Sequence, residues 1–163
     1  MGGQGEIVTL RPLRPEDVPL IYEACQDPEI PRWTRVPSPY TTEHARAALE
    51  SDGDEVRRVI ADGDDRLLGL CSLLRFSPDG RACEVGYWLA PWGRGRGAAT
   101  RAVELLCAWG FETLGLERIE LHAHTENAAS RAVARRAGFA EAGRKADEEG
   151  REMVRYARSA STA

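Results

Sequence analysis

Residues 84–100 read Glu84-Val85-Gly86-Tyr87-Trp88-Leu89-Ala90-Pro91-Trp92-Gly93-Arg94-Gly95-Arg96-Gly97-Ala98-Ala99-Thr100. A strand ends at Leu89, a Gly-Arg loop follows from Pro91, and a helix begins at about Gly97. The free backbone N–H groups of such a helix start face the loop, and the helix dipole adds partial positive charge there. Arg94, Arg96 and Arg101 add full charges. The expected ligand is a polyanion, most simply a pyrophosphate. Tight turns before helices are also glycine-rich, and arginines are common on surfaces, so loop and charges alone leave both readings open. Two familiar phosphate sites do not fit. A P-loop places Gly-Lys-Ser/Thr at the helix start, whereas Gly97 is followed by Ala98-Ala99. The dinucleotide fingerprint requires Gly-x-Gly-x-x-Gly/Ala, but Gly95-x-Gly97 runs on to Thr100.

Upstream, the apolar period predicts a strand over Ile7–Leu13 and a helix over Pro15–Gln26, with Val18, Ile21, Tyr22 and Cys25 on one face. Pro19 fits only if that helix starts late. Asp27–Tyr40 is proline-rich and reads as a loop carrying Trp33. A second helix is expected over Thr41–Glu50, with Thr41 as N-cap. Glu55–Ala61, Arg66–Phe76 and Ala82–Leu89 then read as an antiparallel meander, turning at Gly63-Asp64 and at Ser77–Gly80. Downstream, a long helix runs from Gly97 to Leu114, with Ala99, Val103, Leu106 and Gly110 inward and Gly115 as its left-handed stop. A strand follows over Glu117–Thr125. The next helix, Asn127–Ala137, is expected to turn Ala129, Ala132, Val133, Arg136 and Ala137 inward and to stop at Gly138, with Phe139 folding back. Phe139–Lys145 and Arg151–Arg158 close the domain around Glu149-Gly150. The order β-α-α-β-β-β-α-β-α-β-β describes an α+β fold with a mixed sheet. The strand–helix–strand step from Ala82 to Thr125 predicts a right-handed crossover and a parallel pair.

The 163 residues suit one domain over 1–163, with fraying ends at 1–5 and 159–163. An apolar content of 42% supports a core and excludes disorder as the main state. No apolar run reaches the length of a membrane-spanning helix. Met1–Ile7 lacks the basic start and apolar stretch of a secretory signal, so the cytoplasm is the expected location. The net charge of −4 argues against a dedicated nucleic-acid binder. Cys25, Cys71, Cys83 and Cys107 have no metal-ligand spacing and read as small core hydrophobes; no metal is expected. His122 and His124 share a strand face but lack a third ligand.

Arg94-Gly95-Arg96-Gly97-Ala98-Ala99 matches Gln/Arg-x-x-Gly-x-Gly/Ala, the pyrophosphate signature of the GNAT superfamily of acyl-CoA-dependent N-acyltransferases. Asn127-Ala128-Ala129-Ser130 and Ala137-Gly138-Phe139 resemble that superfamily's second segment in kind and spacing. Glu84-Val85-Gly86-Tyr87-Trp88-Leu89 closely resembles the RimJ/RimL branch, which acetylates N-termini of ribosomal proteins. Leu10-Arg11-Pro12, Asp27-Pro28 and Arg32-Trp33 also look like the start of that branch. The resemblance spans roughly Thr9 to Tyr156.

The resemblance implies a GNAT fold: a central twisted mixed sheet whose two parallel strands splay, flanked by helices. It implies acetyl-CoA as cosubstrate, with Arg94–Thr100 (Arg94, Gly95, Arg96, Gly97, Ala98, Ala99, Thr100) on its pyrophosphate and Asn127 near its pantetheine arm. The backbone N–H of Leu89 would steady the oxyanion. Direct attack of an amine on a thioester requires a base and a proton for the leaving thiolate. Glu84 is the candidate base, acting through water; the other reading pairs it with an arginine or turns it to solvent. Many members place a tyrosine acid where this chain has Ala134, so that tyrosine is missing. Ser130 stands where the RimJ/RimL branch has a serine suggested as the acid, and it also suits a capping role. His124 is a candidate substitute base. Trp33 and Trp88 are candidate acceptor contacts. The acceptor implied is a protein N-terminal α-amine; a small-molecule amine, or a non-catalytic acyl-CoA-binding module with a solvent-facing Glu84, are the alternatives. A homodimer is compatible with the branch.

Overall fold

The computed structural model describes residues 7–50 and 54–160. Of the ends expected at 1–5 and 159–163, residues 1–5 and 161–163 lie outside them. Ser159 pairs with Arg118, and the Ala160 N–H donates to Glu117 O at 2.9 Å.

Seven strands form one sheet in the order β1-β2-β3-β4-β5-β7-β6. They are β1 (Thr9–Arg11), β2 (Val56–Ala61), β3 (Leu67–Leu74), β4 (Ala82–Leu89), β5 (Arg118–His124), β6 (Ala140–Ala146) and β7 (Glu152–Ser159). The meander β2-β3-β4 is antiparallel, β4 and β5 are parallel, and β7 returns antiparallel to both β5 and β6. The mixed sheet flanked by helices is the fold expected from the sequence. β1 is shorter than Ile7–Leu13, because it pairs only over Thr9–Arg11.

The helices are α1 (Val18–Ala24), α2 (Glu29–Trp33), α3 (Thr42–Ala47), α4 (Ala98–Thr113) and α5 (Ala128–Arg136). Pro19 sits in the first turn of α1, where its missing N–H has no helical partner to lose. The Thr41 hydroxyl accepts the His44 N–H at 3.2 Å and caps α3. Two expectations fail. The stretch Asp27–Tyr40 is not all loop, because Pro28 and Pro31 sit at and near the start of a short α2 and leave its first turn intact. In α5 the buried residues are Val133 and Ala134, with Ala137 just beyond, while Ala129 and Arg136 are exposed. The helix is rotated so that Ser130 and Ala134, rather than Ala129 and Arg136, approach the sheet.

Two cores lie on opposite sides of the sheet. Helices α4 and α5 cover one side, where Val103, Leu106, Val85, Leu121 and Tyr156 pack together. The N-terminal helices cover the other with Ile21, Ile30, Val59 and Leu70. All four cysteines are buried, and burial pushes each thiol up to about 12, so they behave as apolar side chains. Among the described residues, no helix is long and apolar enough to cross a membrane, and no cluster of three metal-ligating side chains occurs.

The loop after β4 is clamped to β3. The Trp92 indole donates to Leu67 O at 2.8 Å. Gly93 lies so near β3 that an added Cβ would sit 2.5 Å from Leu68 O. Gly93→Val is expected to lower stability by about 1–3 kcal/mol, read as a fall in Tm, because the loop would have to lift off the strand.

Candidate active site

Parallel pairing between β4 and β5 covers only Ala82, Cys83 and Glu84 against Arg118, Ile119 and Glu120. Beyond Glu84, β4 continues along β3 while β5 continues along β7, so the two parallel strands splay. In an antiparallel ladder, hydrogen-bonded and non-hydrogen-bonded pairs alternate. The Ala90 N–H donates to Leu68 O at 2.8 Å. The neighbouring pair Gly69/Leu89 is therefore non-hydrogen-bonded, and so is Cys71/Tyr87. The N–H groups of Tyr87 and Leu89 consequently face the gap, where a thioester oxygen or an amide-bearing arm can pair with them.

Next to the gap, Gly95 and Gly97 have φ of 77° and 74°. This left-handed geometry costs glycine nothing and turns successive N–H groups the same way. Gly97 caps α4 with no side-chain acceptor. The first helical bond runs from Arg101 N to Gly97 O at 3.2 Å. The N–H groups of Ala98, Ala99 and Thr100 are thus left for an anion. The arginines of the loop have partners within the chain. Arg94 forms an ion pair with Asp27 at 2.6 Å and donates to Leu89 O at 3.1 Å. Arg96 also has a partner within the chain, and Arg101 lies 4.0 Å from Glu104. The backbone N–H groups of the loop are thus open to an anion, and Arg94 joins the loop to the N-terminal half.

Strand alternation sorts the site into two faces. Glu84, Gly86 and Trp88 point to the side of the N-terminal helices, as do Glu120, His122 and His124. Glu84 Oε1 lies 2.7 Å from His122 Nδ1 and 3.9 Å from Arg75, with its side chain 17% exposed. His122 Nε2 is 2.8 Å from Glu120. Glu120 also accepts from Arg118 at 2.9 Å and from Arg155 at 2.8 Å. Arg155, helped by His122 and Arg118, holds the Glu120 carboxyl down to about 2. Burial works against a charge on His122, but its bonds to Glu84 and Glu120 outweigh burial and raise its pKa. Glu84 thus lies in an ionic chain with His122 and Arg75 and does not face open solvent. The lowered Glu120 pKa contributes stability that is present above about 4.5 and lost as pH falls toward about 2. The stability difference between the natural chain and Glu120→Gln is expected to shrink over that window, as followed by denaturant unfolding.

His124 is 7% exposed. Its Nε2 lies 2.7 Å from Asp147, and its Nδ1 is buried without a partner. Trp33, at the end of α2, sets its ring 5.7 Å from the His124 ring, and Arg32 stacks on Trp33 at 4.4 Å. Trp33 and Trp88 both line the groove.

On the opposite face the Tyr87 hydroxyl donates to Ser130 Oγ at 3.1 Å. The Ser130 N–H donates to Asn127 Oδ1 at 3.2 Å, so Asn127 caps α5 and lines the groove together with Ser130. Burial pushes the Tyr87 phenol up, so it stays protonated. Sequence reasoning missed Tyr87, although alternation from Leu89 already placed it on the face away from Glu84. Both faces open into one groove of about 1770 Å³.

The sequence profile of the acetyltransferase (GNAT) domain matches residues 8–140. The chain belongs to the GNAT acetyltransferase family. It is 31% identical over 154 residues to the putative ribosomal N-acetyltransferase YdaF of Bacillus subtilis, covering 87% of this chain and 82% of that one. A Vibrio cholerae spermidine N-acetyltransferase, solved with CoA and spermine, superposes with a TM-score of 0.81 at 25% identity, covering 93% and 95% of the two chains. Mycobacterium smegmatis RimJ, solved with CoA-disulfide, superposes with a TM-score of 0.81 at 26% identity, covering 95% and 83%. The acetyltransferase uses acetyl-CoA as cosubstrate. Its uncapped α4 start and its splayed strand edge suit a pyrophosphate and an amide-bearing arm respectively.

Proposed function

We propose that this N-acetyltransferase, a single-domain cytoplasmic enzyme, acetylates protein N-terminal α-amines. The observation that carries this reading is the charge state of the acceptor side. Most of its carboxylates have counter-ions: Glu29 has Arg32 at 3.3 Å, Glu55 has Arg57 at 2.9 Å, Asp147 has His124 and Arg151 at 2.7 and 3.2 Å, and the exposed Glu148 has Arg35 at 3.9 Å, while Glu149 lines the groove with no ion pair among the described residues. A polyamine binds best where several carboxylates lack counter-ions, and at most of these it would have to displace an arginine or a histidine. The groove also exceeds the roughly 300–1,000 Å³ of small-molecule sites, which leaves room for a chain beside the cosubstrate. The likeness to the putative ribosomal enzyme and to RimJ supports the same acceptor.

In this reading the backbone cradle of Gly95–Thr100 orients acetyl-CoA, which supplies the activated acetyl group. Leu89 N–H steadies the oxyanion. Glu84 takes the amine proton from one face of the sheet, and Ser130, oriented by Tyr87, offers a proton to sulfur from the other. Trp33 and Trp88 wall the acceptor. The test is thiol release with a panel of N-terminal peptides against spermidine. Peptides are expected to give a kcat/KM about ten-fold or more above spermidine, a difference of about 1.4 kcal/mol in transition-state binding. The reverse order would replace a protein acceptor by a small amine.

A further inference from the structure

The Glu84–His122 contact has a proton inventory that its geometry determines. Glu120 receives two arginines, Arg118 and Arg155, and is held as an anion. The His122 Nε2, 2.8 Å from that anion, must carry a hydrogen. The other ring nitrogen lies 2.7 Å from Glu84 Oε1. Two lone pairs do not approach so closely, so one proton lies between Nδ1 and Oε1 in this arrangement. We propose that Glu84 and His122 form a single general base, whose proton site is the space between Oε1 and Nδ1, with Glu120 and Arg155 as positioning residues that keep the ring in place. The proposal rests on the reading of Glu84 as the base.

With the site filled, the pair has no capacity for the amine's proton. A second proton would leave a neutral Glu84 beside an imidazolium still bound to Glu120. With the site empty, Glu84 is an anion and the pair accepts the proton of the incoming ammonium. The amine nitrogen then forms its bond to the acyl carbon as the carbon–sulfur bond breaks. Its second proton goes to sulfur, and the pair releases the first to water. The net reaction is ammonium plus thioester giving amide, thiol and one proton. The charged groups around the site are Arg75 after β3, Glu84 on β4, Arg118 and Glu120 on β5, Lys145 on β6 and Arg155 on β7. The two glutamates favour the filled state, and Lys145 opposes it.

Two readouts on the full chain test the pair. Nitrogen NMR of labelled histidine follows His122 without any acceptor. Its midpoint is expected above the ~6.5 of a free histidine and falls by about one unit in Glu84→Gln. An unchanged midpoint in that variant overturns the shared proton. The second readout is the pH profile of kcat/KM with any accepted amine. The acid limb should coincide with the NMR midpoint, and in His122→Gln it should move about one unit lower, with kcat reduced about ten-fold. A limb that stays in place overturns the coupling to catalysis. Full activity in Glu84→Gln would instead overturn Glu84 as the base, whatever the NMR midpoint shows. Should His122→Gln fail to fold, the histidine NMR on the natural chain and Glu84→Gln still decides.

Discussion

Gly97→Trp is expected to weaken acetyl-CoA binding by about 100-fold or more, equivalent to about 2.7 kcal/mol. Gly97 holds a φ of 74°, which costs a side-chain-bearing residue about 1–2 kcal/mol. A Cβ built there meets nothing within 4 Å. The added Cβ therefore does not collide with the core, and the indole it carries is expected to fill the space in front of the α4 N–H groups proposed to hold the pyrophosphate. Calorimetry of acetyl-CoA against the two chains measures the effect, and a melting curve shows that the variant folds. Equal binding by both would sink the assignment of the cradle, and the catalytic reading built beside it would lose its cosubstrate site.

Glu84→Gln is expected to lower kcat by about 10²–10³ at neutral pH, within the range of a lost general base. The amide preserves shape and leaves His122 bonded to Glu120 at 2.8 Å, so the sheet should hold. It removes the one carboxylate that faces the groove from the point where β4 and β5 part. The KM for acetyl-CoA should change little, because the N–H groups of the cradle lie beyond the end of β4, whereas the partners of Glu84 are His122 and Arg75. Steady-state kinetics decide the matter: a loss smaller than about ten-fold would make Glu84 a structural member of the ionic chain.

These two residues were legible before any coordinates because each belongs to a local pattern. Gly97 is the left-handed residue that starts a helix, and Glu84 sits in a strand whose alternation assigns its face. The same locality explains why the meander, α4 with its buried Val103, Leu106 and Gly110, and the Thr41 and Asn127 caps agree with expectation. Periodicity and capping act over a few residues, and those few residues carry the information.

Other features depended on segments far apart in the chain. Arg94 forms an ion pair with Asp27, on the turn before α2, at 2.6 Å, a long-range contact that the local pattern of residues 84–100 does not encode. On α5, Val133 and Ala137 are buried as expected, but Ala129 and Arg136 are exposed and Ala134 is buried in their place; with alanines at 128, 129, 132 and 134, only packing selects the side. Trp33 was singled out from its proline-rich surroundings, yet its position beside His124 follows from α2, whose short turn has no strong signal of its own.

Sequence by itself determined the strand–loop–helix of residues 84–100, the α+β order of elements and the family, since hydrophobic period, turn glycines and motif spacing are local properties of the chain. Tertiary structure decided which charged groups meet. His122 stands between Glu84 and Glu120 because β5 pairs with β4 for three residues and with β7 along its whole length. That register brings Arg155 to Glu120 and opens the gap before Tyr87 and Leu89. Strand register is a sum of many weak long-range contacts, and no short stretch of this chain encodes it.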